Sequence, residues 1–519
     1  MNRSGKTLKL SKKSLQKEKS RLENEPHTAD DYFILGTDEE ESGDRWFASD
    51  ISKALRFYQR AYGYYRTSLS LDSTSIDTWY NVSRLLFSVY TQYIKNEGVN
   101  LNDLENVSDA LKGDESSVIQ SLTNIIKIFQ TSIEISNSKT RFPWDLYYNA
   151  VLCYFEYIEE LNQVNDNQFN ELVQCFIAAR DLLSKVMDFQ IVELRQLTTS
   201  SETSHESNVE ASSVVDNDDH RYISGEETIS PSTIVDTCLT GYRLVTAVYE
   251  SISSDEQLSH LSKPVHPFIN TIDTTAILLE SEFSNSRTEM IPSSTTAEKD
   301  QLTLARLSYV ASQAKSFEEL KQVWSTSELS DSIEKYMLEA SSYRTLIEKL
   351  SETSMKLVDQ ELWKVLSIMN LRLKSAYDQI KVKYDNLKSQ RFNNNDETSS
   401  IISQLCLILI ERADIELERS QLSTTDERTR GILQTNYKNL LKNSLTISQQ
   451  SGGIRESQSD KLVRQKRQKE SLIRLCLVDN KTTPEELDKI VGPGYWEQEL
   501  SEISELAIYA KFNVGALSS

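Results

Sequence analysis

Apolar positions recur every three to four residues through most of this chain. Phe169, Leu172, Phe176, Ala179, Leu183 and Val186 form one such stripe, and Val235 to Tyr249 is periodic in the same way. Leu362, Trp363, Leu366, Met369, Leu373 and Tyr377 make a stripe too broad for a lone surface helix, so that helix is predicted to pack between neighbours. Alternation with period two is hard to find, and 14 Gly and 8 Pro in 519 residues leave few turn formers. The pattern predicts an all-α protein. In the C-terminal half, helices are expected at about 297–315, 329–351, 356–388, 398–420, 425–447, 459–478, 484–491 and 495–511, with breaks at Pro264 and Pro267 and over Ser284 to Thr296.

Ala61 to Leu86 carries a more specific pattern. In a 34-residue frame that starts at Ser42 and restarts at Ile76, Ala61, Tyr65 and Ser68 fall at positions 20, 24 and 27, and Trp79, Val82, Ser83 and Leu86 at 4, 7, 8 and 11 of the next unit. Helical hairpins need small or aromatic side chains at those places so that neighbours nest. The chain therefore resembles tetratricopeptide-repeat proteins. Ser73 stands where that family usually has proline and Ser83 where it has glycine. Ile125, Phe129 and Ser132 repeat the second-helix spacing, and Asp145 to Asn149 repeats the face of Asp77 to Asn81 across a polar insertion near Asn96 to Ser117. The resemblance implies a TPR-like helical-hairpin array, an α-solenoid, with an extended C-terminal helical region. The expected organisation is a disordered tail over 1–41, repeats over 42–195, an acidic Ser/Thr-rich linker over 196–233 and helices over 234–519, either degenerate repeats or an ordinary bundle. Residues 38–195 are expected to fold alone.

Charge narrows the function. Residues 1–21 hold eight basic side chains and one acid, a net of +7, which leaves −28 for the rest of a chain whose formal charge is −21. An acidic body does not draw nucleic-acid phosphate and does draw basic protein surfaces. The arm reads as a solvated tail or an import signal. Cys153, Cys175, Cys238, Cys406 and Cys476 are odd in number and far apart, which fits a reducing compartment. The longest dense apolar run, Leu405 to Ile410, is far short of a membrane span. Cytoplasm and nucleus are the expected locations.

No catalytic constellation stands out. The five histidines are His27, His205, His220, His260 and His266, so the best-patterned helices hold no imidazole base or ligand. Ser451-Gly452-Gly453 lacks the Lys of a phosphate loop and reads as a turn. A non-enzymatic protein without cofactor or metal is expected. In the family it resembles, first helices line a partner groove. Carried over, that implies Asp77, Tyr80, Arg84, Phe87 and Ser88, then Asp145, Tyr148, Leu152, Phe155 and Glu156. Any one of these aromatics reads equally well as core. Aromatic anchors among carboxylates suit a Lys- or Arg-bearing peptide. The expected function is an adaptor or dedicated chaperone for a basic client, with a structural subunit of a larger assembly, as in ribosome biogenesis or nuclear assembly, as the alternative. Docking of acidic heat-shock chaperone tails is disfavoured. Asn81 matches that clamp, but Trp46, Asp50, Asp145 and Asn149 stand where the other clamp residues, most of them cations, would be.

Overall fold

The computed structural model describes residues 26–137, 143–161, 166–203, 229–279, 281, 295–325, 329–352, 357–389 and 397–512. Among them there is no β-strand; the chain is all-α, built as antiparallel helix pairs that follow one another in order. Contacts divide it into two compact units, one comprising residues up to Gln92 with Asn102–Thr140, the other Tyr93–Leu101 with Arg141 onward.

In the first unit, α1 (Ala29–Phe47) pairs with α2 (Ile51–Leu71), and α3 (Ile76–Val89) with α4 (Leu122–Ser136). α1 starts well before the expected Ser42. Thr28 and Asp31 form a capping box there, and Asp30 and Asp31 supply first-turn carboxylates. Residues 29–41 are thus helix rather than tail, and Asp38 to Glu41 lie in mid-helix. The basic arm lies outside the described residues.

Close approach of α1 to α2 explains the earlier start. A Cβ on Gly36 would lie 2.4 Å from Tyr65 Cε1, and one on Gly43 2.4 Å from Tyr58 Cε1. The two glycines, seven residues apart on one face, receive two tyrosines with the same spacing. Each ring is then anchored at its tip: Tyr58 Oη donates to Asp44 Oδ1 at 2.8 Å and Tyr65 Oη to Glu40 Oε2 at 2.8 Å. Ala61, Tyr65, Ser68, Val82, Ser83 and Leu86 are all buried, while Trp79 is half-buried. Ser83 Oγ lies 2.8 Å from Ser132 Oγ, which joins α3 to α4. Trp46 is exposed beneath the Lys53 ammonium. The insertion between α3 and α4 buries Val107, Ala110 and Val118, so it packs despite its polar composition.

The second unit holds α5 (Trp144–Glu160), α6 (Asp166–Thr203), α7 (Pro231–Glu250), α8 (Asp255–Leu278), α9 (Thr296–Ser312) and α10 (Phe317–Trp324). It continues through α11 (Ile333–Glu352), α12 (Asp359–Ser389), α13 (Thr398–Gln421), α14 (Glu427–Ser448), α15 (Gln458–Val478), α16 (Pro484–Ile490) and α17 (Glu497–Ser504). The boundary between units falls near residue 140 rather than 195. The reason is that α5 and α6 pack on α7 and α8: Phe176 meets Phe268 edge-on at 6.3 Å, and Gly241 leaves room for Ile272 and Leu183. A fragment over 38–195 would cut α1 and strand this interface. The expected break at Pro264 and Pro267 is absent, and α8 runs through both. The carbonyls they leave without partners, of His260 and Lys263, belong to exposed residues, while Leu261, Val265, Phe268 and Ile272 hold the other side. The expected linker begins late, because α6 continues to Thr203, and ends early, because Ser230 caps α7; its middle, 204–228, lies outside the described residues. The expected helix over 495–511 is α17 followed by a separate 3-10 segment, Ala507–Phe512.

Gly36→Ala is expected to destabilise the chain by about 1–3 kcal/mol, because the tyrosine behind it cannot yield without losing its carboxylate. Gly63, in mid-α2 with nothing within 4 Å of a built Cβ, should respond oppositely. Gly63→Ala is expected to gain about 0.5–1 kcal/mol. Urea unfolding of the two variants checks both signs.

Candidate partner-binding faces

The residues implied as a groove divide between the two units. In the first, Asp77 is exposed in the first turn of α3 and Tyr80 is half-buried. Phe87 is a correction: it is buried and meets Phe129 edge-on at 6.3 Å, inside the α3–α4 pair where a partner cannot touch it. Arg84 is not a free cation, since it pairs with Glu40 of α1. Burial pushes the Glu40 carboxyl up, opposed by Arg84 and by the Tyr65 hydroxyl.

In the second unit, Asp145, Tyr148, Leu152, Phe155 and Glu156 are all half-buried along α5. Asp145 Oδ1 accepts from Leu146 N at 2.9 Å, in the helix's first turn. Tyr148 Oη lies 2.9 Å from Thr240 Oγ1, so this face of α5 turns toward α7, the first helix of the next pair. Glu156 is held by Lys95, which also reaches Glu159 at 2.8 Å.

Lys95 belongs to a strap, Tyr93–Leu101, that comes from outside the helix pairs of this unit. Its neighbours dock on α15. Asn96 Nδ2 donates to Ser459 Oγ at 2.7 Å, Glu97 pairs with Arg467, and Gly98 abuts the main chain of Leu462 and Val463. One short segment thus touches both α5 and α15.

Two charged clusters surround the strap. The first contains Glu156, Glu159, Glu160, Glu250 and Glu348 with Lys95 and Lys349, five carboxylates against two ammoniums. Solvent reaches Glu250, yet protein encloses it on most sides. That desolvation pushes its carboxyl up, Glu159 and Glu348 push it further, and Lys349 opposes them. Lys349 Nζ also donates to the carbonyl of Tyr249 at 2.7 Å.

The second cluster gathers Glu97, Arg344, Glu411, Asp414, Glu418, Arg467 and Glu470. Arg467 donates to Glu470 at 2.7 Å and Arg344 to Glu418 at 2.9 Å. Glu411 is pushed up to about 7 by burial and then by Asp414, against the pull of Arg467 and Arg344. Beside it, Arg474 contacts Asp414 at 3.2 Å and Glu499 at 3.8 Å, and Glu499 is raised to about 8 by burial and by Glu470 and Glu502. Strap and α11 contribute to both clusters, so the two adjoin.

Every helical member of these clusters comes from α5, α7, α11, α13 or α15, each the first helix when the unit is counted two helices at a time. Of the cluster members, sequence reasoning had named Glu156 alone. A signal existed in α13, where Glu411 and Asp414 follow the apolar run Leu405 to Ile410 at a spacing of three, and in α15, where Arg467, Glu470 and Arg474 share one face. Nothing in the sequence announced the strap.

A family model described as YNL193W C-terminal domain matches residues 326–502, from just before α11 into α17. Over 506 aligned residues the chain is 25% identical to the uncharacterized protein YNL193W of Saccharomyces cerevisiae (strain ATCC 204508 / S288c), covering 84% of this chain and 87% of that protein. The second cluster, apart from the strap's Glu97, lies within the matched region.

A Glu raised from about 4.5 to about 7 binds more protons folded than unfolded, so its contribution to stability is lost as pH rises from about 5 through 7. Glu411→Gln is therefore expected to raise the urea midpoint at pH 8 relative to the unsubstituted chain, and to do so less at pH 5. An equal effect at both pH values would contradict the assignment.

Proposed function

We propose that this chain is a non-enzymatic protein-binding scaffold, an adaptor or dedicated chaperone, that holds a Lys- or Arg-bearing segment of a partner along the first-helix face of its second unit. The observation that carries this reading is Lys95. It lies at a bend just after a short π-helical turn, and its ammonium sits between Glu156 and Glu159. A partner lysine would find similar chemistry further along near Glu250 and Glu348, where carboxylates outnumber cations. Tyr148 and Phe155, half-buried on the same helix, give apolar surface on which the stems of long basic side chains can rest. The tetratricopeptide resemblance supports the same use of first helices. Aromatic and carboxylate groups in this arrangement recognise a charge pattern rather than turn over a substrate.

Reversing Glu159 and Glu250 to Lys is expected to weaken capture of a fluorescein-labelled Lys/Arg-rich peptide by about tenfold or more, since repulsion replaces attraction at positions that solvent reaches. Helicity should be retained. Binding to the unsubstituted chain should also fall with added salt, because such charges are screened beyond about 8 Å at physiological ionic strength. Unchanged affinity in the double reversal would remove this face as the binding site.

A further inference from the structure

The first unit contains a cleft of about 430 Å³ between α2, α3, α4 and the chain leading into α4. Its volume lies in the range of ordinary ligand pockets. Tyr62, Trp79, Val82 and Ile128 line it with rings and aliphatic groups, and Arg66 and Lys127 line it with cations.

The walls are fixed by hydrogen bonds. Tyr62 Oη donates to the Glu115 carbonyl at 3.0 Å, and Trp79 Nε1 to the Ser73 carbonyl at 2.9 Å. Gln59 clasps the wall segment, donating to the Ser116 carbonyl at 2.8 Å and accepting from Val118 N at 2.8 Å. Gln120 Nε2 donates to the carbonyls of Asp114 at 2.8 Å and Ser117 at 2.7 Å. With those polar groups engaged, the rings and the half-buried Trp79 present apolar surface to the cleft.

The two cations differ from their neighbours. Arg60 and Arg84 in the same unit are each paired with a glutamate. Arg66 and Lys127 are exposed, and among the described residues neither makes an ion pair, although Glu115 also lines the cleft. Arg66 instead lies 5.8 Å from the centre of the Tyr62 ring. On a chain of net charge −21, this is a cleft whose lining carries two cations and one carboxylate.

We propose that the cleft binds a short acidic peptide segment of a partner protein, with an apolar side chain against Tyr62 and Trp79 and flanking carboxylates on Arg66 and Lys127. Aromatic rings beside aliphatic walls suit an anchoring side chain, and charge complementarity sets the sign of its neighbours. A basic segment is repelled here, so this site is distinct in chemistry from the first-helix face of the second unit, and its test does not depend on that reading.

The probe is a fluorescein-labelled octapeptide with a central Leu-Phe pair flanked by Asp and Glu, titrated with the full chain and followed by anisotropy. Two control peptides replace Leu-Phe by Ser-Ser, or the acids by Lys. The acidic peptide should saturate below about 1 mM. Each control, and the Arg66→Glu/Lys127→Glu variant, should bind about tenfold more weakly or worse. Both substituted positions are exposed, and an unchanged circular dichroism spectrum verifies folding. The Trp79 indole N–H resonance, assigned by its loss in Trp79→Phe, should shift during the titration. No saturable binding of the acidic peptide, equal binding of the Lys control, or undiminished affinity in the double variant would each overturn the proposal.

Discussion

The second unit's charged face depends on one steric constraint, the seating of Gly98 on α15. A Cβ at this position would lie 2.5 Å from Val463 N and 2.9 Å from the Leu462 carbonyl carbon. These are main-chain atoms of a helix and cannot rotate aside, so no residue but glycine fits without moving the strap. With Gly98 in place, Glu97 meets Arg467, Asn96 meets Ser459, and Lys95 reaches back to Glu156 and Glu159. Removing that contact would leave Arg467 one carboxylate short and return two acids of α5 to an already acidic cluster.

Burial explains why carboxylates of this unit are raised. α12 buries an apolar stripe of Val365, Leu366, Met369, Leu373 and Ala376. α7 and α13 are buried along most of their length, more so than α8 and α14, so the polar groups they carry are partly enclosed. Enclosure without full pairing is costly to a carboxylate. The raised pKa values of Glu250, Glu411 and Glu499 are the local expression of that cost, and an added cation would relieve it. Tyr437, Tyr509, Asp414 and Arg474 show the opposite case. There each group has a partner, with Tyr509 Oη 2.5 Å from Asp414 Oδ1 and 3.0 Å from Tyr437 Oη, and the network closes off the end of the core.

Much of the fold could be read from periodicity. Segments with strong apolar spacing, such as Thr398–Gln421 and Gln458–Val478, became helices within a residue or two of their expected ends. Reading failed where a local rule met a tertiary contact. Residues up to 41 looked like a tail, because nothing local says that Gly36 and Gly43 receive Tyr65 and Tyr58. Two prolines looked like a break, because the buried face that holds α8 together was not weighed against them. Of the charged clusters only Glu156 stood among the residues the resemblance implied, and Phe87 was misplaced because a groove position and a core position share the same spacing. The strap pairs residues more than 350 apart, as in Asn96 with Ser459, which no local pattern encodes.

The central claim is that the first-helix face of the second unit holds enclosed carboxylates that a partner's cations complete. Calorimetric titration of the full chain with a Lys/Arg-rich peptide at pH 6, in two buffers of different ionisation enthalpy, measures this directly. A cation beside a carboxyl with raised pKa lowers that pKa, so binding should release protons, and the observed heat should change with the buffer. Binding with identical heats in both buffers, or no binding, would contradict the account.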